Sequence, residues 1–174
     1  MSRSIPLLLR AAAFAAERHR RQKRKDHEAT PYINHPLEVA RLLAEEGGVR
    51  DAEVLAAALL HDVIEDTRTS RAELARRFGP RIAGLVAEVT DDKRLPKQVR
   101  KRRQVEHAPS LSRGAALVKI ADKACNLRDI RERPPRGWSV ARRRKSFAHA
   151  REVVAALPVK KHPVLEAFRK VAGR

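Results

Sequence analysis

Residues 57–67 read AALLHDVIEDT. The first four are apolar helix formers. Then come His61, Asp62, Glu65 and Asp66, with only Val63 and Ile64 between them. Burying a charge without a partner is costly. These four groups therefore face water, pair with one another, or hold something positive. Upstream, Asp51 suits a helix N-cap. The run from Ala52 through Asp66 is apolar on nearly every side, which predicts one central, buried helix. In a continuous helix, residues i and i+4 share a face. His61 would then stand beside Glu65, and Asp62 beside Asp66.

Helical signals also dominate outward from this stretch. Residues 4–20 predict a first helix, with Leu7, Ala11, Phe14 and Ala15 on one stripe. RRQKRKDHEATPY reads as a polar, basic connector. Asn34-His35-Pro36 marks the start of a helix that Gly47-Gly48 stops. Ser70 opens a short helix, closed by Gly79-Pro80, and RIAGLVAEVT follows. After the charged segment DDKRLPKQVRKRRQVEHA comes a second largely apolar helix, RGAALVKIADKACNLRDIRER. Two basic amphipathic helices are predicted near 139–156 and 162–172. No stretch alternates apolar and polar residues over a useful length. The expectation is a single all-α domain over 1–174, with its core at about 4–156.

The chain has 174 residues, enough for one domain with its own core. Aromatics are only 3%, so Ala, Leu, Val and Ile must build that core. The formal net charge of +18 attracts polyanions such as nucleotides, nucleic acid or acidic membranes. The abundance of Arg and Ala is also what a biased genomic base composition would produce. Cys125 is the single cysteine, so no internal disulfide forms, and a cytoplasmic location is expected. No apolar run reaches the ~20 residues of a membrane span. The N-terminus faintly resembles a targeting signal, but Arg10 interrupts it and it reads naturally as a helix.

Other segments offer groups that match the central stretch. His35 lies at a helix start, in TPYINHP. Asp122 lies among Val118, Ile120, Ala121 and Leu127, where a carboxylate needs a partner. Asn126 is four residues later, on the same face. Packed together, His35, His61, Asp62 and Asp122 supply two imidazoles and two carboxylates. That mix suits a divalent cation such as Mn, Fe or Zn more than Mg. A water acidified by the metal would be the nucleophile, with Glu65 and Asp66 as acids and bases beside it. Taken singly, each group has a plainer reading. His35 could cap its helix, Asp122 could pair with Lys119 or Arg128, and Cys125 is a small core residue. His19, His27, His107, His149 and His162 sit in polar or basic contexts and are expected to be solvated.

In order and spacing, TPYINHPLEVARLL, AALLHDVIEDT, FGPRIAGLVAEVTDDK and LVKIADKACNLRDI resemble the HD-type hydrolase domain of the RelA/SpoT family. The likeness is greatest to its stand-alone small alarmone hydrolases and runs from about residue 4 to 156. It implies an all-helical HD bundle. It also implies Mn²⁺-dependent removal of the 3′-pyrophosphate from guanosine 3′,5′-bis(diphosphate), ppGpp, or its pentaphosphate relative pppGpp. On matching motif positions, His35, His61, Asp62 and Asp122 look like metal ligands. Glu65 and Asp66 look like the water-activating pair, and Asn126 like a substrate-positioning residue. Arg24 and Lys25 resemble a basic pair that contacts the nucleotide. Lys97 and Arg142 are further cations that could meet a polyanionic substrate. The synthetase and regulatory domains of long relatives have no counterpart in this sequence, so degradation without synthesis is expected. Ala124-Cys125 stand where relatives often carry larger residues. One alternative is another phosphohydrolase, acting for example on the 2′-phosphate of NADPH. Another, of a different class, is a nucleic-acid-binding module that uses the positive charge.

Overall fold

A computed structural model describes residues 4–26 and 28–173. Residues 1–3, 27 and 174 of the expected domain lie outside the described residues, and so does the expectation for His27. The helices are α1 (Ser4–His19), α2 (Asn34–Glu45), α3 (Ala52–Leu60), α4 (Val63–Asp66) and α5 (Arg71–Phe78). They continue with α6 (Pro80–Val89), α7 (Lys97–His107), α8 (Arg113–Glu132), α9 (Val140–Ala156) and α10 (Pro163–Ala172). No strand occurs among the described residues. An isolated antiparallel bridge, Lys23 to Pro31, closes the α1–α2 connector. The domain is all-α, as the sequence patterns require.

α3 is the centre of the fold. Val54 through Leu60 are all buried, and the helix packs against α1, α2, α6 and α8. A helix with no polar face has to be enclosed in this way. Asp51 caps it, accepting from the backbone N–H of Glu53 and Val54. α8 crosses α2, α3 and α6 and buries most of its length. Gly114 permits the close approach at its start. A Cβ there would lie 2.9 Å from Leu85 Cδ2 and 3.2 Å from Val54 Cγ2. α10 lays Val164, Leu165 and Phe168 against α8 and α9.

One expectation is corrected here. The central helix does not run unbroken to Asp66. α3 stops at Leu60, and His61-Asp62 form a turn before the short α4. In a straight helix, adjacent side chains diverge by about 100°. Even so, the two side chains meet, with His61 Nε2 3.0 Å from Asp62 Oδ2. The charged segment after α6 is also more ordered than its composition suggests. It forms α7, which has no fully buried residue and packs on α9. His19 is a further correction: it is 2% exposed and packs against the Tyr32 ring, with centroids 4.9 Å apart. Cys125 is a buried core residue, and burial pushes its thiol up to about 12.

Candidate active site

Three segments bring the sequence-nominated ligands together: the start of α2, the α3–α4 turn and the middle of α8. His61 Nδ1 lies 2.8 Å from the Ala58 carbonyl. A carbonyl only accepts, so Nδ1 carries the hydrogen and Nε2 presents its lone pair. That Nε2 is buried with no hydrogen-bond partner. It faces Asp62 Oδ2 at 3.0 Å and Asp122 Oδ1 at 3.7 Å. His35 Nε2 lies 3.1 Å from Asp122 Oδ1 and 3.9 Å from Asp62 Oδ2.

At His61 an acceptor is thus turned toward acceptors in a buried space, a conflict that a cation between them would resolve, while His35 Nε2 stands at hydrogen-bond distance from Asp122. Without a metal, a proton takes that place. Burial opposes charge on His61, but Asp62 and Asp122 outweigh it and hold the imidazole well above its ordinary 6.5. Burial likewise opposes ionisation of Asp62, yet the His61 ring keeps that carboxyl well below the usual range. The donor set also fits a divalent ion. With bonds of about 2.1 Å, donors at right angles stand about 3 Å apart and opposite ones about 4 Å. One ligand atom each from His35, His61 and Asp62 lies within 4.8 Å of the others, and Asp122 Oδ1 lies within 4 Å of both imidazole Nε2 atoms.

The plainer readings of these residues fail on contacts. Lys119 donates to the Val89 carbonyl, and Arg128 pairs with Glu46, so neither meets Asp122. The α2 N-cap is Ile33, with no side-chain cap. Asn126 donates from Nδ2 to Asp122 Oδ1 at 2.6 Å and accepts from Arg24 at 3.2 Å. Arg24 also pairs with Asp129 at 2.5 Å.

Beside the cluster opens a cleft of about 700 Å³. Glu65, Asp66 and Asn126 line it, with Arg24 and Lys25 and, from other segments, Lys93, Arg100, Lys101 and Lys123. Burial raises the Glu65 carboxyl to about 6, reinforced by the nearby Asp91, Asp62 and Asp66 charges. Glu65 Oε2 accepts from the Asp91 N–H at 3.1 Å. Asp66 accepts from Gln22 at 2.6 Å and pairs with Lys93. Lys97 and Arg142 are exposed and outside the lining, although Arg142 stacks over Trp138, which does line the cleft.

Sequence reasoning missed several members of this site. Tyr32 donates to Asp62 Oδ2 at 2.6 Å. It sits within the quoted TPYINHP, so its proximity to His35 was a usable signal. Lys123 follows Asp122 directly and was equally findable. Gln104 had no signal: its Oε1 lies 3.0 Å from both Lys123 Nζ and His149 Nε2, joining α7, α8 and α9 at the cleft wall. His149 is therefore half-buried rather than solvated. Burial and the Lys123 and Lys101 charges push its imidazole down to about 4.

An all-helical bundle with His-Asp pairs facing a buried cation position defines the HD class, and the HD domain model matches residues 11–154. The chain belongs to the HD-domain family. Within that family it is 56% identical over 157 residues to guanosine-3′,5′-bis(diphosphate) 3′-pyrophosphohydrolase MESH1 of Xenopus tropicalis, covering 90% of this chain and 88% of that one. It is 54% identical over 162 residues to MESH1 of Homo sapiens, covering 93% and 90%. A solved structure, described as a metazoan ortholog of SpoT that hydrolyzes ppGpp and plays a role in starvation responses, superposes with a TM-score of 0.91. It shares 43% identity, over 98% of this chain and 94% of that one. The likeness to RelA/SpoT-type hydrolases expected from the motifs is thereby borne out. No helix among the described residues is long and apolar enough to cross a membrane.

Proposed function

We propose that this chain is a Mn²⁺-dependent guanosine 3′,5′-bis(diphosphate) 3′-pyrophosphohydrolase that converts ppGpp or pppGpp to GDP or GTP and pyrophosphate. The observation that carries the reading is the His61 Nε2 lone pair, buried against two carboxylates beside a cationic cleft. His35, His61, Asp62 and Asp122 would hold the ion. Mixed imidazole and carboxylate donors favour Mn²⁺ over Mg²⁺. When bound, the ion supplies Lewis acidity toward a phosphate oxygen and makes water more acidic.

The chain's own groups do the rest. The cleft cations neutralise a substrate carrying several negative charges. Arg24, tied to both Asn126 and Asp129, is oriented for phosphate, and Lys25 adds an exposed charge at the rim. Glu65, raised to about 6, is ionised at neutral pH yet basic enough to take a proton from water. Asp66 is locked by Gln22 and Lys93 and fixes that side of the cleft. Water adds to the phosphorus carried by the ribose 3′ oxygen, the P–O3′ bond breaks, and that oxygen takes up a proton. Asn126 positions the reacting phosphate through its amide. Lys97 and Arg142 attract substrate from outside the cleft. We take residues 4–156 as the hydrolase unit, with α10 packed on it.

The test is to strip the protein of metal, add ppGpp with and without Mn²⁺, and resolve the products by anion exchange. GDP and pyrophosphate formed only with Mn²⁺ support the reading. Intact ppGpp with metal bound overturns it. The same assay with NADPH, read as inorganic phosphate, tests the second substrate, for which a cleft of this size has room.

A further inference from the structure

The α9 helix has a second working face. Ser146, His149 and Ala150 line the cleft, while Arg143, Arg144, Lys145 and Arg151 line a separate open groove with Arg131 from the end of α8. Its volume is about 750 Å³. Among the described residues, none that lines it is acidic. On other faces several cations pair with carboxylates, as in Arg18–Glu73, Arg41–Glu38 and Arg81–Asp51. Here no such pair occurs among the described residues, and Arg143 Nε is buried with no hydrogen-bond partner.

The groove is also apolar where it is not basic. Ile130, Val140 and Phe147 line it, and Val140 is 53% exposed. Guanidinium groups without carboxylate partners around an apolar, aromatic-bearing surface match a ligand that alternates anionic links with flat hydrophobic rings. Single-stranded nucleic acid has that chemistry: phosphates meet Arg and Lys while bases stack on aromatic and apolar side chains. Guanidinium forks suit phosphate oxygens in particular. The net charge of +18 favours a polymer of dense, regular negative charge.

We propose that the groove formed by the end of α8 and α9 binds single-stranded nucleic acid, with phosphates on Arg131, Arg143, Arg144 and Lys145 and a base against Phe147 and Val140. This site is separate from the hydrolytic cleft and does not depend on the hydrolase reading.

The experiment is fluorescence anisotropy of the full chain with a labelled oligouridine of about 20 nucleotides, from about 50 to about 200 mM salt. Binding should weaken steeply with salt. Arg144→Glu combined with Lys145→Glu, both on exposed positions, should weaken it at least tenfold and flatten the salt slope. Unchanged circular dichroism and melting temperature would show that the variant is folded. An abasic strand of equal length should bind several-fold less tightly, which tests the apolar surface without altering the protein. Unchanged affinity in the double variant would overturn the site. Equal affinity for the abasic strand, or displacement by polyglutamate at matched charge, would overturn nucleic acid as the ligand. Displacement by ppGpp would place the strand in the cleft and likewise overturn the proposal.

Discussion

His35 and His61 are buried, and Asp62 and Asp122 nearly so, each within 4 Å of a group of opposite character. The cations around the cleft are arranged differently. Lys25, Lys97 and Arg142 stand in water, and only Arg24 and Lys93 among the named cations are held by carboxylates. In the cluster, every group needs the others, because a buried charge without compensation costs several kcal/mol. At the rim, water and salt screen each charge, so individual contributions are small. Substitutions should therefore have steeply graded effects, falling as one moves outward from the cluster.

The largest effect is expected from Asp62→Ala. It removes a carboxylate from both imidazoles, and metal and turnover should be lost together. The loss should exceed the roughly 100-fold that follows removal of a mere supporting partner. Metal stoichiometry by atomic emission alongside kcat checks this. Full metal content in the variant would break the contrast between core and rim.

Glu65→Gln should keep the metal and lose roughly 100- to 1,000-fold in kcat. Glu65 is raised to about 6, so wild-type turnover should fall as pH drops through that value and the base is protonated. The Gln variant should lack this limb. A stability scan of metal-free protein gives an independent readout. A raised folded-state pKa stabilises fully below about 4.5 and is lost as pH rises through about 6. The variant should gain on wild type across that window, by at most about 2 kcal/mol. Parallel pH curves for the two proteins would refute the assignment.

Tyr32→Phe deletes the hydroxyl that donates to Asp62. Metal affinity should fall about 10- to 100-fold with the fold intact, as for other groups that orient a ligand. Titration calorimetry measures it, and an unchanged affinity would remove Tyr32 from the support of the site. Gln104→Ala frees Lys123 and His149 from their common anchor. A rise in KM of about 5-fold with kcat retained is expected, consistent with loss of one or two hydrogen bonds. A fall in kcat instead would mean that this network reaches the reacting atoms. Lys97→Ala and Arg142→Ala should change KM by about 3-fold or less at low salt, and less still as salt is added. A large, salt-independent loss for either would show a direct substrate contact that the exposed positions do not suggest.

The candidate ligand set was legible because its demands are local. His61-Asp62 at the end of an apolar run, Asp122 in another and His35 beside Pro36 each advertise a buried polar group that needs compensation. Several helix boundaries were readable for a similar reason: Asp51, Ser70 and Gly79-Pro80 act on their own turns, whereas α4 as a separate helix and α7 were not. The break at His61-Asp62 was not readable, since local propensity favours continuing the helix. His19 and His149 were misjudged because burial of a polar side chain depends on which helix lands on it.

The sequence by itself determined an all-α chain, one helix that must be enclosed, and a group of acids and imidazoles that need compensation. Periodicity, capping and the cost of buried charge are short-range properties, and each is written in a few neighbouring residues. Only the tertiary structure decided that the helix breaks at His61-Asp62, that Tyr32 supports Asp62, that Gln104 gathers three helices at the cleft, and that α9 lines both the cleft and a separate basic groove. Those facts depend on contacts between residues far apart in the chain, whose geometry comes from packing rather than from any local pattern.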